Sequence, residues 1–188
     1  MQVVDAIKTR RSIGRSEGTI ARSVLEELIE AAAWAPNHNL TEPWTFTVLQ
    51  GLARERFGEF WAEYRANELG LEGEKRDGFI AGERQKPLRA PTLVIVSTRT
   101  DADPVVAAED FAATAAAVQN LLLAAYDHGL AAMWRTGDPA YHPAVKAHLG
   151  LDETDRIVAI VYLGESGTVE PKPAIRQKPQ IHWMPEST

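Results

Sequence analysis

Apolar residues along this chain recur with two periods, one helical and one extended. Leu25, Leu28, Ile29 and Ala32 share one helical face, which predicts a helix over roughly Val24–Ala35. Ser23 followed by Glu26 has the form of a capping box, with Thr19 as an earlier start, and Pro36 stops the helix. Val3–Thr9 reads as a shorter helix ending at an arginine pair. Thr45–Leu49 alternates as a half-buried strand entered through Pro43-Trp44. Leu93–Ser97 and Ile157–Leu163 are unbroken apolar runs of strand length, as expected for central strands. Between them, Ala107–His128 is an Ala-rich helix whose stripe is Phe111, Ala115, Val118, Leu122 and Ala125. Gly129 ends it, a strand follows at Ala131–Arg135, and Pro143–Leu149 makes one more short helix.

Two stretches depart from these rhythms. Leu52–Gln85 is charged and mostly helical, with breaks predicted near Gly70, Gly73 and Gly78, and is expected to be mobile. Val169–Pro185 carries Pro171, Pro173, Pro179 and Pro185, so it is expected to be extended. There is no internal repeat, and 188 residues predict a single domain over 1–188, with 165–188 as a Pro-rich tail. Strands separated by helices suggest, on pattern alone, a parallel α/β sheet.

Composition narrows the function classes. A net charge of −6 argues against general affinity for nucleic acid or anionic membranes. The longest apolar runs, Leu121–Ala125 and Ile157–Leu163, are too short to span a bilayer, and the N-terminal stretch lacks the pattern of a signal peptide. The sequence has no cysteine, which removes thiolate chemistry and disulfides and makes a cytoplasmic location the default expectation.

Candidate chemistry is concentrated in three segments at the ends of predicted elements, where loops present ligand contacts on a rigid scaffold. The first is Arg10-Arg11-Ser12, with Arg15 close behind. Its guanidinium forks suit a phosphate, although arginines at a helix C-terminus also complement the helix dipole. The second runs from Trp34 through Ala35-Pro36-Asn37-His38 to Glu42-Pro43-Trp44. The third is Met133-Trp134-Arg135-Thr136-Gly137, whose bland reading is a strand-end turn with a buried Trp. His38, His128, His142, His148 and His182 show no helical metal-binding spacing, and no metal site is expected. The glycines form neither a dinucleotide fingerprint nor a P-loop.

In this order and at these separations, the three segments resemble the FMN-dependent nitroreductase family, most closely its small YdjA-like branch. The likeness runs from about Val3 to about Gly164. It implies an α+β fold rather than a parallel one: a three-layer sandwich with a mainly antiparallel sheet flanked by helices. It also implies a homodimer with FMN at the interface. Arg10, Arg11 and Ser12 would then hold the phosphate and ribityl chain, and Arg15 the pyrimidine edge. Trp34 and His38 would reach the flavin of the other subunit, while Trp134, Arg135 and Thr136 complete the pocket. Lys172, Arg176 and Lys178 are basic tail residues of the kind that touch phosphate in larger relatives. The family often has Asn and Gln where Leu40 and Glu42 stand, so contacts of those two positions are not carried over. The implied activity is hydride transfer from NADH or NADPH, then ping-pong electron delivery to nitro compounds or quinones. Other flavin chemistry on the same scaffold, such as reductive dehalogenation or flavin breakdown, and non-catalytic flavin binding are the alternatives.

Overall fold

The computed structural model describes residues 2–167 and 174–184. Four strands, β1 (Trp44–Gln50), β2 (Thr92–Thr98), β3 (Leu130–Arg135) and β4 (Arg156–Glu165), form one sheet in the order β1-β2-β4-β3. Every neighbouring pair is antiparallel. The α+β expectation therefore holds, and the parallel arrangement suggested by the β–α alternation does not. The alternation still carried information. β2 and β3, joined by a helix, both run antiparallel to β4 and hence parallel to each other. β4 is inserted between them and takes the hydrogen bonds that a parallel pair would have shared.

The sheet has a packed helical layer on each face. On one side lie α1 (Val3–Thr9), α2 (Arg22–Ala33) and α5 (Pro104–Asp127). Here Leu25, Leu28, Val118 and Leu122 meet Val94, Val96 and Leu163. On the other side are α3 (Leu52–Glu68), α4 (Gly73–Gln85), α6 (Asp138–Tyr141) and α7 (Pro143–His148). There Phe57, Trp61 and Val145 pack on Leu93, Ile95, Ile160 and Tyr162. β2 and the middle of β4 are buried throughout, which is why they read as unbroken apolar runs. The two-residue alternation along β4 slips once, at Val158–Ala159, where a bulge opposite Val96/Ser97 turns both toward α5.

Several boundaries differ from the sequence reading. α2 begins at Arg22, preceded by Ala21 with no side-chain cap. The capping box does not form, because Glu26 instead accepts a 2.7 Å bond from Arg22 one turn earlier. α5 starts three residues before Ala107, capped by Asp103, whose side chain accepts from the Val105 N–H. The charged stretch after β1 is a helical hairpin. Gly70 and Gly73, both at positive φ, form its turn, and Gly78 lies inside α4 without breaking it. Arg76 and Arg84 both reach back from α4 to Glu63 of α3. Short 3-10 turns at His38–Leu40 and Pro87–Arg89, and the single turn α6, were not anticipated. Of the tail, 174–184 contains no helix or strand, while Pro171, Lys172, Pro173 and Pro185 lie outside the described residues. No described helix is long and apolar enough to cross a membrane.

The segment after α1 is what ties the N-terminus to the sheet. Ser12 forms a parallel bridge with Ala132, the Ile13 N–H donates to the Ala132 carbonyl at 3.0 Å, and Glu17 bridges Glu165. The approach needs glycine. A Cβ on Gly14 would sit 2.5 Å from Met133 Sδ, and one on Gly164 would run into Ser16 and come within 2.7 Å of Pro91 Cδ. Gly164→Ala is therefore expected to destabilise the protein by roughly 1–3 kcal/mol, the usual cost of overpacking. Urea denaturation would show this as a lower midpoint at unchanged slope.

Candidate functional site

The first and third segments come together along β3. Arg10 caps the C-terminus of α1, with its N–H bonded to the Ala6 carbonyl. The side chain turns inward, and Nε and Nη1 are buried with no hydrogen-bond partner among the described residues. Burial lowers the Arg10 pKa, and the nearby charges of Arg11 and of Arg176 in the tail lower it further. Arg11 folds back so that Nη1 donates to the carbonyls of Lys8 (2.8 Å) and Arg10 (2.9 Å). Beside them a cavity of about 110 Å³ is lined by Arg10, Arg11, Ile13, Tyr126, Leu130 and Ser166. Buried guanidinium nitrogens without acceptors among the described residues, with like charges close by, are chemically suited to an anion. Ser12 and Arg15 are exposed on the strip that runs on from there across β3.

At the other end of β3, Trp134 and Arg135 point to opposite faces, as successive strand residues must. Trp134 packs into the α2/α5 core, and its Nε1–H donates at 3.0 Å to the Val158 carbonyl in the bulge of β4. The indole thus satisfies a backbone group that the bulge takes out of the ladder. Arg135 lies on the α3/α4 face, its guanidinium 5.5 Å from the centre of the Tyr162 ring. There it joins Thr136 and Gly137 around a cavity of about 280 Å³. Gly137 has φ of +88°, a conformation that glycine adopts without strain, and its carbonyl accepts from Ala140 to start α6.

Sequence reasoning missed the opposite wall of this larger cavity. Trp61 and Arg65 of α3, Glu83 at the end of α4, Lys86 and Tyr162 all line it. Glu83 is nearly buried, accepts from the Trp61 indole at 3.1 Å and pairs with Lys86. Burial pushes the Tyr162 phenol up from its usual range, opposed by the charges of Arg135 and Arg89. A tryptophan and a Lys-Pro pair within a strongly charged helical stretch were the available signals. The helical period hid which face they share.

The second segment lies apart from both cavities. It leads into β1, the edge strand opposite β3. Three strand spacings separate these edges, about 14 Å. Trp34 caps α2 and is 82% exposed. His38 Nδ1 lies 2.7 Å from Glu109 Oε2 of α5, and Thr41 donates to Asp110 at 2.6 Å. Asn39, Leu40 and Glu42 all have positive φ without being glycine, a cluster of strain of the kind that surrounding structure must hold in place. The bonds that hold it are on hand. Arg99 donates to the carbonyls of Thr41 and Glu42, and Asn37 accepts from the Glu42 N–H.

Comparison with known proteins agrees with the fold. The family described as "Nitroreductase family" matches residues 7–165. The chain is 29% identical over 180 residues to a Bacillus subtilis (strain 168) protein named "Putative NAD(P)H nitroreductase YfhC", covering 93% of this chain and 91% of that one. It is 31% identical over 166 residues to "Putative NAD(P)H nitroreductase YdjA" of Escherichia coli (strain K12), covering 87% and 88%. Among solved structures, a nitroreductase-like family protein from Bacillus cereus superposes with a TM-score of 0.82 at 28% identity, over 95% of this chain and 92% of the other.

The Trp134 geometry separates a structural from a ligand role. Trp134→Phe keeps the ring packing but leaves the Val158 carbonyl unpaired. We expect a loss of about 1–3 kcal/mol in denaturant unfolding, with ligand affinity at the Arg10 site unchanged when measured by titration.

Proposed function

The chain belongs to the nitroreductase family, and from that premise we propose that it is an NAD(P)H-dependent FMN oxidoreductase working as a homodimer. The whole of 1–188 is then one FMN-binding domain that includes the Pro-rich tail after β4. The observation that carries this reading is that Arg10 Nε and Nη1 lie buried beside Arg11, within the field of Arg176, with no hydrogen-bond partner among the described residues. A phosphate dianion supplies the acceptors and the charge that this pocket lacks. A single such cluster, with no dinucleotide fingerprint, favours FMN over a flavin carrying an adenosine half.

From the phosphate end, the strip that holds Ser12 and Arg15 crosses β3 at Ala132 and Met133 toward β4. Ser12 and Arg15 would contact the ribityl chain and the pyrimidine edge. Backbone at Thr136 and Gly137 would approach the ring, and Arg135 and Lys86 would offset negative charge that gathers there on reduction. FMN, when bound, supplies the reversible hydride and electron chemistry, so no acid–base pair of side chains is required. NADH or NADPH would be the hydride donor and a nitro compound or quinone the acceptor, and one open face serving both in turn would give ping-pong kinetics.

Trp34 and His38 would act across the interface. Their segment sits at the sheet edge away from both cavities, so within one chain it does not close the site. A second copy that brings its own 34–44 segment over the first copy's β3 would. Apolar side chains left in water favour such a partner, among them Val3, Val4 and Ile7 of α1, Trp34 and Leu40.

Two measurements test the assignment. Cofactor released by heat and identified chromatographically should be FMN; FAD, or no flavin even after incubation with excess FMN, would contradict the proposal. Arg10→Ala should lower FMN affinity by about 1.5–3 kcal/mol, the range for a hydrogen bond to a charged group, with the far-UV spectrum retained. An unchanged FMN titration would return Arg10 to a purely structural role.

A further inference from the structure

Two histidines of this chain are held by carboxylates through opposite ring nitrogens. His142 Nδ1 accepts the Ala144 N–H at the start of α7, so its hydrogen lies on Nε2, which faces Glu68 at 3.1 Å. His38 is the reverse, with Nδ1 2.7 Å from Glu109 Oε2. A carboxylate accepts and does not donate, so in the neutral ring the hydrogen of His38 is on Nδ1 and Nε2 keeps its lone pair. His38 is 62% exposed, and no described residue bonds its Nε2.

An exposed His–Glu contact is ordinarily a weak surface pair. This one differs in its setting. Glu109 and Asp110, consecutive on α5, grip His38 and Thr41 at either side of the strained turn at Asn39 and Leu40. The turn is therefore fixed at two points, and the imidazole has one preferred tautomer and one preferred direction. Resting on the cross-subunit reading above, we propose that Glu109 is the positioning residue for His38. It locks the Nδ1–H tautomer so that Nε2 is presented as a hydrogen-bond acceptor to a hydroxyl or N–H of the flavin held by the partner subunit. Glu109 itself touches no ligand; it acts through His38.

The tautomer is directly measurable. Long-range nitrogen–proton NMR of the FMN-loaded protein, at about pH 8 and thus above the ordinary histidine range, should show His38 protonated at Nδ1 and His142 at Nε2. His142 serves as the internal reference. Glu109→Ala should release His38 into a mixture of tautomers, whereas Glu109→Gln, whose amide oxygen still accepts from Nδ1–H, should keep the native one. FMN titration by flavin fluorescence should then show His38→Ala and Glu109→Ala each weakened roughly 2- to 10-fold, the range of an ordinary neutral hydrogen bond. The double variant should be no weaker than either, as for two residues acting through one contact, and Glu109→Gln should bind nearly as the parent does. A native tautomer surviving in Glu109→Ala, or additive losses in the double variant, would overturn the proposal. Full FMN affinity in His38→Ala would overturn it too. If FMN binding still depends on Arg10 in that case, the flavin assignment stands and only this inference fails; no FMN binding at all would overturn both.

Discussion

The crossing of the N-terminal segment over β3 is the contact on which the site depends. Gly14 lets the chain pass against Met133, and Ser16 fits into the space left by the missing side chain of Gly164. Ser12 and Ile13 are thereby stitched to Ala132, and Arg10, two residues upstream, is carried into a pocket at the start of the same strand. Without this crossing the arginine pair would be an ordinary solvated helix end. With it, Arg10 Nε and Nη1 are buried without an acceptor among the described residues.

The second constraint is the width of the sheet. β3 carries the larger cavity and the cationic pocket, whereas the Trp34–Trp44 segment enters the sheet through β1, at the far edge. The segment is nonetheless built with care. Its positive-φ residues are tied by Thr41–Asp110, His38–Glu109 and the Arg99 contacts to carbonyl oxygens. This strain, held by that many bonds, lies on a surface where a tryptophan stands open to water, and the proposed dimer would give both a role. Two copies in which each edge completes the other's pocket satisfy both features at once.

Much of this was legible in the sequence, and the exceptions share a cause. The unbroken apolar runs of β2 and β4 and the stripe Val118, Leu122 and Ala125 of α5 were readable because burial writes itself into periodicity. The insertion of β4 between β2 and β3 was not, since pairing order leaves no local trace. Arg10 and Arg11 were readable as phosphate candidates by residue type, but the buried, unpaired nitrogens that set Arg10 apart belong to packing. Trp134 was grouped with Arg135 by adjacency, and the strand places them on opposite faces. Glu83 was hidden in a stretch read only as charged, mostly helical and mobile, with Lys86 just beyond it, because the face that turns inward appears only once α3 and α4 are docked. Glu109 was invisible for the same reason, lying 71 positions from His38.

The central claim is that one catalytic pocket draws Arg10 from one copy and His38 from another. The most direct test mixes two impaired parents, one carrying Arg10→Ala and the other His38→Ala. After co-refolding, heterodimers should regain part of the NADPH-dependent reduction of a nitroaromatic acceptor, because one of their two pockets has both residues intact. No recovery in proven heterodimers, with a real defect in each parent, would place both residues in the same subunit's pocket and contradict the account.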